Sequence, residues 1–205
     1  MENRRTVMCT SAALFLAAFM LPASAKDAES SAMTEARFWS IIAEAVPYAA
    51  DREKQTAVLR ASLEKLTLHQ LEEYAVIFAQ EMHASYSWDL WGAAYIIQGG
   101  ASDDGFEYFR RWLISQGREV LERAKADPDS LANLSMPDSV EDREFEEIAY
   151  LALDVWGKKS GRDPRHMPNS APMVLGEKPS GLQFSEDPAA LKKRYPKLWA
   201  RFGSS

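Results

Sequence analysis

Cysteine is almost absent: Cys9 is the only one in 205 residues. Beyond that position a disulfide framework, a thiolate metal site and a thiol nucleophile are excluded. Positive charge is also short, with 24 Lys and Arg against 30 Asp and Glu and a net charge of −6. Nucleic acid and anionic membrane surfaces favour basic partners, so neither is an expected partner here. No apolar run reaches the ~20 residues of a membrane helix. Strand-like alternation of useful length, internal repeats and heptad arrays are missing too. There is no HExxH, no Cys/His cluster and no serine nucleophile elbow, and Gly99-Gly100 lacks the lysine of a phosphate loop. His69 and His83 share one predicted helix but stand about 21 Å apart along it, and His166 lies far downstream. No cofactor and no metal is expected.

The chain opens with Arg4 and Arg5, an apolar run from Ser11 to Leu21, and Pro22-Ala23-Ser24-Ala25. That order is the pattern of a secretory signal peptide cleaved after Ala25, which implies a periplasmic or secreted protein and removes Cys9. The route is general secretory or twin-arginine: Arg4-Arg5 allows the latter, though Thr6-Val7-Met8 match that signal poorly. Loss of Glu2, Arg4 and Arg5 takes away a net +1 and leaves −7. Residues 26–33 read as a flexible lead-in. Residues 34–203 read as one all-α domain, a compact orthogonal bundle with an irregular Pro- and Gly-rich arm over 157–186. The 46% hydrophobic content is that of a globular chain.

Helical periodicity begins at Thr34, a predicted N-cap for a helix with Phe38, Ile41, Ile42 and Ala45 on one face, and Pro47 disturbs its end. A second helix spans about Asp51 to Lys65. Thr67 caps a third, with Leu68, Leu71, Ala75, Phe78 and Met82 at helical spacing. Ser87 caps a fourth, Trp88 to Gln98, and Gly99-Gly100 suits a left-handed stop. Ser102 caps a fifth, Asp103 to Ser115, whose acidic first turn complements the helix dipole. Arg118 to Ala126 is a sixth. Asp138 or Ser139 starts a seventh that ends near Trp156. Pro188 opens a last helix running on towards Trp199.

The stretch from Tyr86 to Leu113 concentrates what chemistry there is. The fourth helix is apolar on every side except for Asp89, which predicts burial. A buried carboxylate needs a partner. Either Asp89 is held by its own helix N-terminus together with Arg110 or Arg118, or it lines a pocket between Trp88 and Trp91. Arg110 lies on the core side of the fifth helix, with Asp89 as the expected bidentate partner, whereas Arg111 is expected to face water. Asp103 and Asp104 are either cap-turn carboxylates or, with Asp89, oxygen ligands for a hard cation. The candidate ligand-binding residues are Trp88, Asp89, Trp91, Tyr95, Asp103, Asp104 and Arg110. Two functions compete for them. The first is a non-enzymatic exported domain that binds a protein partner or small ligand. The second is a hydrolase-like or cation-dependent enzyme using Asp89, Asp103, Asp104 and Arg110. The acidic segment Glu141 to Glu147 and the basic tail Lys192 to Arg201 are two solvated faces, or else they meet and dock the tail.

Several strings resemble one bacterial family. They are Phe38-Trp39, Tyr86-x-Trp88-Asp89-Leu90-Trp91-Gly92-Ala93-Ala94-Tyr95, Gly99-Gly100-x-Ser102-Asp103-Asp104-Gly105-Phe106-x-x-Phe109-Arg110-x-Trp112-Leu113 and Asp127-Pro128-Asp129. They are similar to the domain-of-unknown-function 4240 family, and the likeness extends over about 34–202, including Gly176-Glu177 and Tyr195-Pro196. Family members often carry cysteine where this chain has Ala101, so the resemblance implies no obligatory thiol chemistry. Gln183-Phe184 stands where the family pattern has tryptophan. The resemblance implies no established activity.

Overall fold

Six of the helices start as their capping residues dictate. Thr34, Asp51, Thr67, Ser87, Ser102 and Asp187 each have extended backbone and accept a hydrogen bond from the N–H three residues on. Thr67 and Gln70 complete a reciprocal capping box. The computed structural model describes residues 32–168 and 178–203. Its helices are α1 (Glu35–Ala45), α2 (Arg52–Leu63), α3 (Leu68–Ala84), α4 (Trp88–Gln98), α5 (Asp103–Ser115), α6 (Arg118–Ala126), α7 (Leu151–Ser160), α8 (Pro188–Arg194) and α9 (Pro196–Phe202). The fold is all-α; among the described residues the β structure is a single isolated parallel bridge between Ser87 and Ser180. The expected signal peptide, most of the lead-in and Gly176-Glu177 lie outside the described residues.

The helices close around one hydrophobic core. Phe38 and Ile42 from α1, Leu59 and Leu63 from α2, Leu71 and Tyr74 from α3, Phe106, Phe109 and Trp112 from α5 and Trp156 from α7 are all essentially inaccessible. Large buried rings and aliphatic side chains of this kind remove apolar area from water. α3 packs on α7, α1 on α2, and α9 on both α4 and the 3₁₀ turn Pro128–Asn133. Among the described residues no helix is long and apolar enough to cross a membrane.

Three sequence expectations are corrected. The seventh helix does not begin at Asp138 or Ser139. Residues Glu141–Arg143 and Glu146–Tyr150 are 3₁₀ turns, separated by extended Glu144 and by Phe145, and the α-helix starts only at Leu151. The cause is competition for backbone carbonyls. Arg52 takes those of Asp142 and Glu144, Arg143 takes those of Pro137, Asp138 and Ile97, and Arg111 takes that of Glu146. A helix needs its carbonyls for its own ladder. The irregular arm begins later than Gly157, because Gly157–Ser160 continue α7 until Gly161 stops it at φ 67°. Gly157 is required there by close approach, since a Cβ would lie 2.6 Å from Pro164 Cγ. The final helix is two helices. Pro196 biases Tyr195 away from helical backbone (φ −131°, ψ 65°), which breaks the tail between α8 and α9.

Candidate functional site

α4 places Trp88, Trp91 and Tyr95 three and four residues apart, so their rings share one side of the helix. All three are partly exposed, while Leu90, Ala93, Ala94, Ile96 and Ile97 on the other sides are buried. Trp88 stacks on Trp91 at 5.1 Å and 10° between planes. Trp91 stacks in turn on Phe106 of α5 at 4.9 Å and 15°. The Trp91 indole N–H is fixed by a 3.0 Å bond to the Ala101 carbonyl. The result is a rigid ladder of flat rings running from the surface into the core.

A strap formed by residues 180–187 crosses this face. Ser180 accepts from the Trp88 N–H at 2.9 Å and donates its own N–H to the Tyr86 carbonyl at 3.0 Å, the two-way pairing of an added strand. Gly181 then turns with φ 83° beside Asp89. Phe184 packs against Trp88 at 6.1 Å and Tyr95 at 5.5 Å between ring centroids. The Tyr95 hydroxyl donates to Glu186 at 3.2 Å. Partial burial together with that carboxylate raises the Tyr95 pKa above the usual phenol value.

Asp89 is not buried, and it does not meet Arg110. Its side chain is 52% exposed and pairs with Arg194 of α8, whose Nε lies 2.9 Å from Oδ1. Arg194 Nη2 donates to the same carboxylate and, at 2.8 Å, to the Leu182 carbonyl, so one guanidinium joins α4, the strap and α8. The Tyr195 hydroxyl donates to the Asp89 backbone carbonyl at 2.9 Å. Burial pushes this phenol up to about 12; Arg194 opposes the shift, and Asp89 and Asp129 add to it. Gly92 makes the approach possible, because a Cβ at that position would lie 2.4 Å from Tyr195 Oη and 3.0 Å from Phe184 Cγ. Arg118, the other expected partner of Asp89, pairs with Glu35 instead.

Arg110 has a different task. It is buried and donates Nη1 to the Met82 carbonyl in the last turn of α3, where a cation also suits the helix dipole. Its guanidinium lies 4.7 Å from the Tyr86 ring centroid and 4.9 Å from that of Phe106. Burial pulls it down to about 10, with Glu107 and Tyr86 opposing that shift. Arg111 is buried rather than solvated, bound to Glu107 and the Glu146 carbonyl. Asp103 and Asp104 are exposed in the first turn of α5, behind the Ser102 cap. Among the described residues no group of three or more His, Cys, Asp or Glu side chains could hold a metal ion.

The seven predicted residues therefore divide. Trp88, Asp89, Trp91 and Tyr95 form one surface, whereas Arg110 holds α3 and the two aspartates stand at a helix start. The four carboxylate and guanidinium groups proposed for an enzyme are not joined, and Asp89 and Arg110 are each engaged elsewhere. Sequence reasoning missed Ser180, Phe184, Arg194 and Tyr195 as parts of this surface, and Asp129 as its support. The buried Asp129 carboxylate accepts the N–H groups of Lys197 and Leu198 at 3.1 and 2.9 Å, capping α9 from another segment. The strings Asp127-Pro128-Asp129 and Tyr195-Pro196 were visible signals, but pairing across 68 residues is not written in either. The basic tail docks on Asp89, Asp127 and Asp129 and on the carbonyls of Ala132 and Leu134, rather than on the acidic 141–147 segment.

These features describe an all-α domain whose most developed surface is aromatic and strapped by its own chain. A family model described as a protein of unknown function (DUF4240) matches residues 33–158, more than half of the 205 residues, and the chain belongs to that family. α8, α9 and the strap lie beyond the matched region. No curated protein and no solved structure matches the chain.

Proposed function

We propose that this is an exported, non-enzymatic helical domain that binds a partner or small ligand on the outward side of α4, through Trp88, Asp89, Trp91 and Tyr95. The observation that carries this reading is the partly exposed indole stack of Trp88 on Trp91, anchored below by Phe106. Flat rings held rigid bind other apolar or planar groups at little cost in side-chain entropy. The polar groups beside the stack offer orientation rather than chemistry. Asp89 is already charge-paired with Arg194.

Thermal shift against a panel of small molecules and peptides tests the binding. A ligand that binds the folded state must raise Tm. The expected ligand stabilises the wild type and loses that effect in Trp88→Ala, while Asp104→Ala still responds. A ligand whose effect survives Trp88→Ala and Trp91→Ala but disappears in Asp104→Ala would place the site elsewhere. Export rests on the signal-like residues 1–25. Mass spectrometry of the protein recovered from its natural cells should give a chain beginning at Lys26. An intact Met1 in the cytosolic fraction contradicts it.

A further inference from the structure

We infer that the aromatic side of α4 is a peptide-binding surface of the strand-addition kind, and that residues 180–186 are its resident, displaceable occupant. The inference rests on the binding role proposed above and names the class of partner: an extended polypeptide with an aromatic side chain four residues after the position that pairs with Tyr86 and Trp88.

The strap is held as a bound peptide is held. At Ser180 the two short contacts are backbone to backbone, with donation to the Tyr86 carbonyl and acceptance from the Trp88 N–H, and the Ser180 hydroxyl adds only a long 3.4 Å bond to the same Tyr86 carbonyl. Such contacts read no sequence, which is how strand addition obtains affinity. Arg194 grips the next part of the strap through the Leu182 carbonyl, again without reading a side chain. Specificity falls to Phe184, which lies between Trp88 and Tyr95 over Gly92, where no larger residue fits beneath it. The surface thus offers a backbone edge, a guanidinium for a carbonyl, and one aromatic slot.

The strap is also weakly fixed. Residues 180–183 and 185–187 are exposed, and Leu182 is 81% exposed with its side chain unused. Phe184 is the one strap residue that packs against the core. By contrast the tail that follows is anchored by the buried Leu191, Tyr195 and Leu198 and by the Asp129 cap. Segments with few buried apolar contacts and exposed hydrogen bonds open at far lower cost than the core. Opening the strap need not disturb α8 and α9.

A synthetic peptide spanning Pro179–Asp187, labelled for fluorescence anisotropy, is the probe. The resident strap competes with it, so its apparent affinity falls by the fraction of open molecules. The purified protein carrying Phe184→Ala, in which the strap loses its only apolar hold, should bind the peptide about tenfold more tightly than the wild type. A peptide with alanine in place of its phenylalanine should bind neither, and Trp88→Ala in the Phe184→Ala background should abolish binding. Far-ultraviolet circular dichroism confirms that each variant is folded. Absence of saturable binding to folded Phe184→Ala overturns the inference, as does equal binding with and without Trp88. A small-molecule ligand that depends on Trp88 while the peptide fails would leave the proposed binding role standing and remove the strap mechanism alone.

Discussion

Three residues carry more of the architecture than their types suggest. Gly92 is required by the overlying Tyr195 hydroxyl and Phe184 ring. Gly92→Ala should cost about 1–3 kcal/mol through overpacking, measured by denaturant titration, and should raise protease cleavage within 180–187 first. Asp129 acts as an N-cap in trans for α9. Its loss removes charge-assisted bonds from a buried position, so Asp129→Ala should cost about 2 kcal/mol. Asp89→Ala, which breaks a half-exposed ion pair, should cost roughly 0.2–1 kcal/mol, and Asp104→Ala should stay within about 0.5 kcal/mol. Equilibrium unfolding of the three variants checks the order, and a larger effect for Asp104 than for Asp129 contradicts it. Arg110 completes the set. Arg110→Ala removes the charge-assisted bond to the Met82 carbonyl, which keeps its bond from the Ser85 hydroxyl, and opens space under Tyr86 and Phe106, so it should destabilise by about 3 kcal/mol.

At the scale of elements, the fates of α4 and of the 134–150 segment explain what sequence could and could not reveal. The caps at Thr34, Thr67, Ser87 and Ser102 and the left-handed stop at Gly99 were legible because each is a local exchange of hydrogen bonds within four residues. The burial of α4 was half legible. Its uniform apolarity announced a covered helix, yet the cover on one side is a strap from 90 residues downstream that has no periodicity of its own. The 3₁₀ segment was not legible, because Arg52, Arg111 and Arg143 reach its carbonyls from outside or across it. Asp89 and Arg110 looked like partners because both carry charge near the core. Their true partners, Arg194 and a helix-end carbonyl, are set by tertiary placement. The tail also predicts a pH response. The Tyr195 phenol is held near 12 when folded and near 10 when unfolded. The unfolded chain therefore loses this proton first as pH rises. The folded state then binds more protons, and stability falls between about pH 10 and 12. Tyr195→Phe should flatten that alkaline decline in melting temperature; an unchanged slope contradicts the assignment.

For the molecule as a whole, a core of rings from α1, α3, α5 and α7 and leucines from α2 forms the scaffold, and the C-terminal residues are laid over it. The matched family region, residues 33–158, contains that scaffold and the indole ladder. The strap, α8 and α9 complete the outer surface through Arg194, Tyr195 and Phe184. Composition made this division partly readable: the Pro- and Gly-rich arm stood out against periodic helices, though the helix α7 ran further into it than the arm's composition suggested. A displaceable strap must open independently of that scaffold. Native-state hydrogen exchange followed by NMR reads such an opening residue by residue. The Trp88 and Ser180 amides, which bond across the strap, should exchange together through an opening several kcal/mol cheaper than the one that exposes the amides of Ala93 and Ile97 in the buried side of α4. If Trp88 and Ser180 exchange only with the global unfolding that releases Ala93 and Ile97, the strap is a fixed part of the core and not a displaceable occupant.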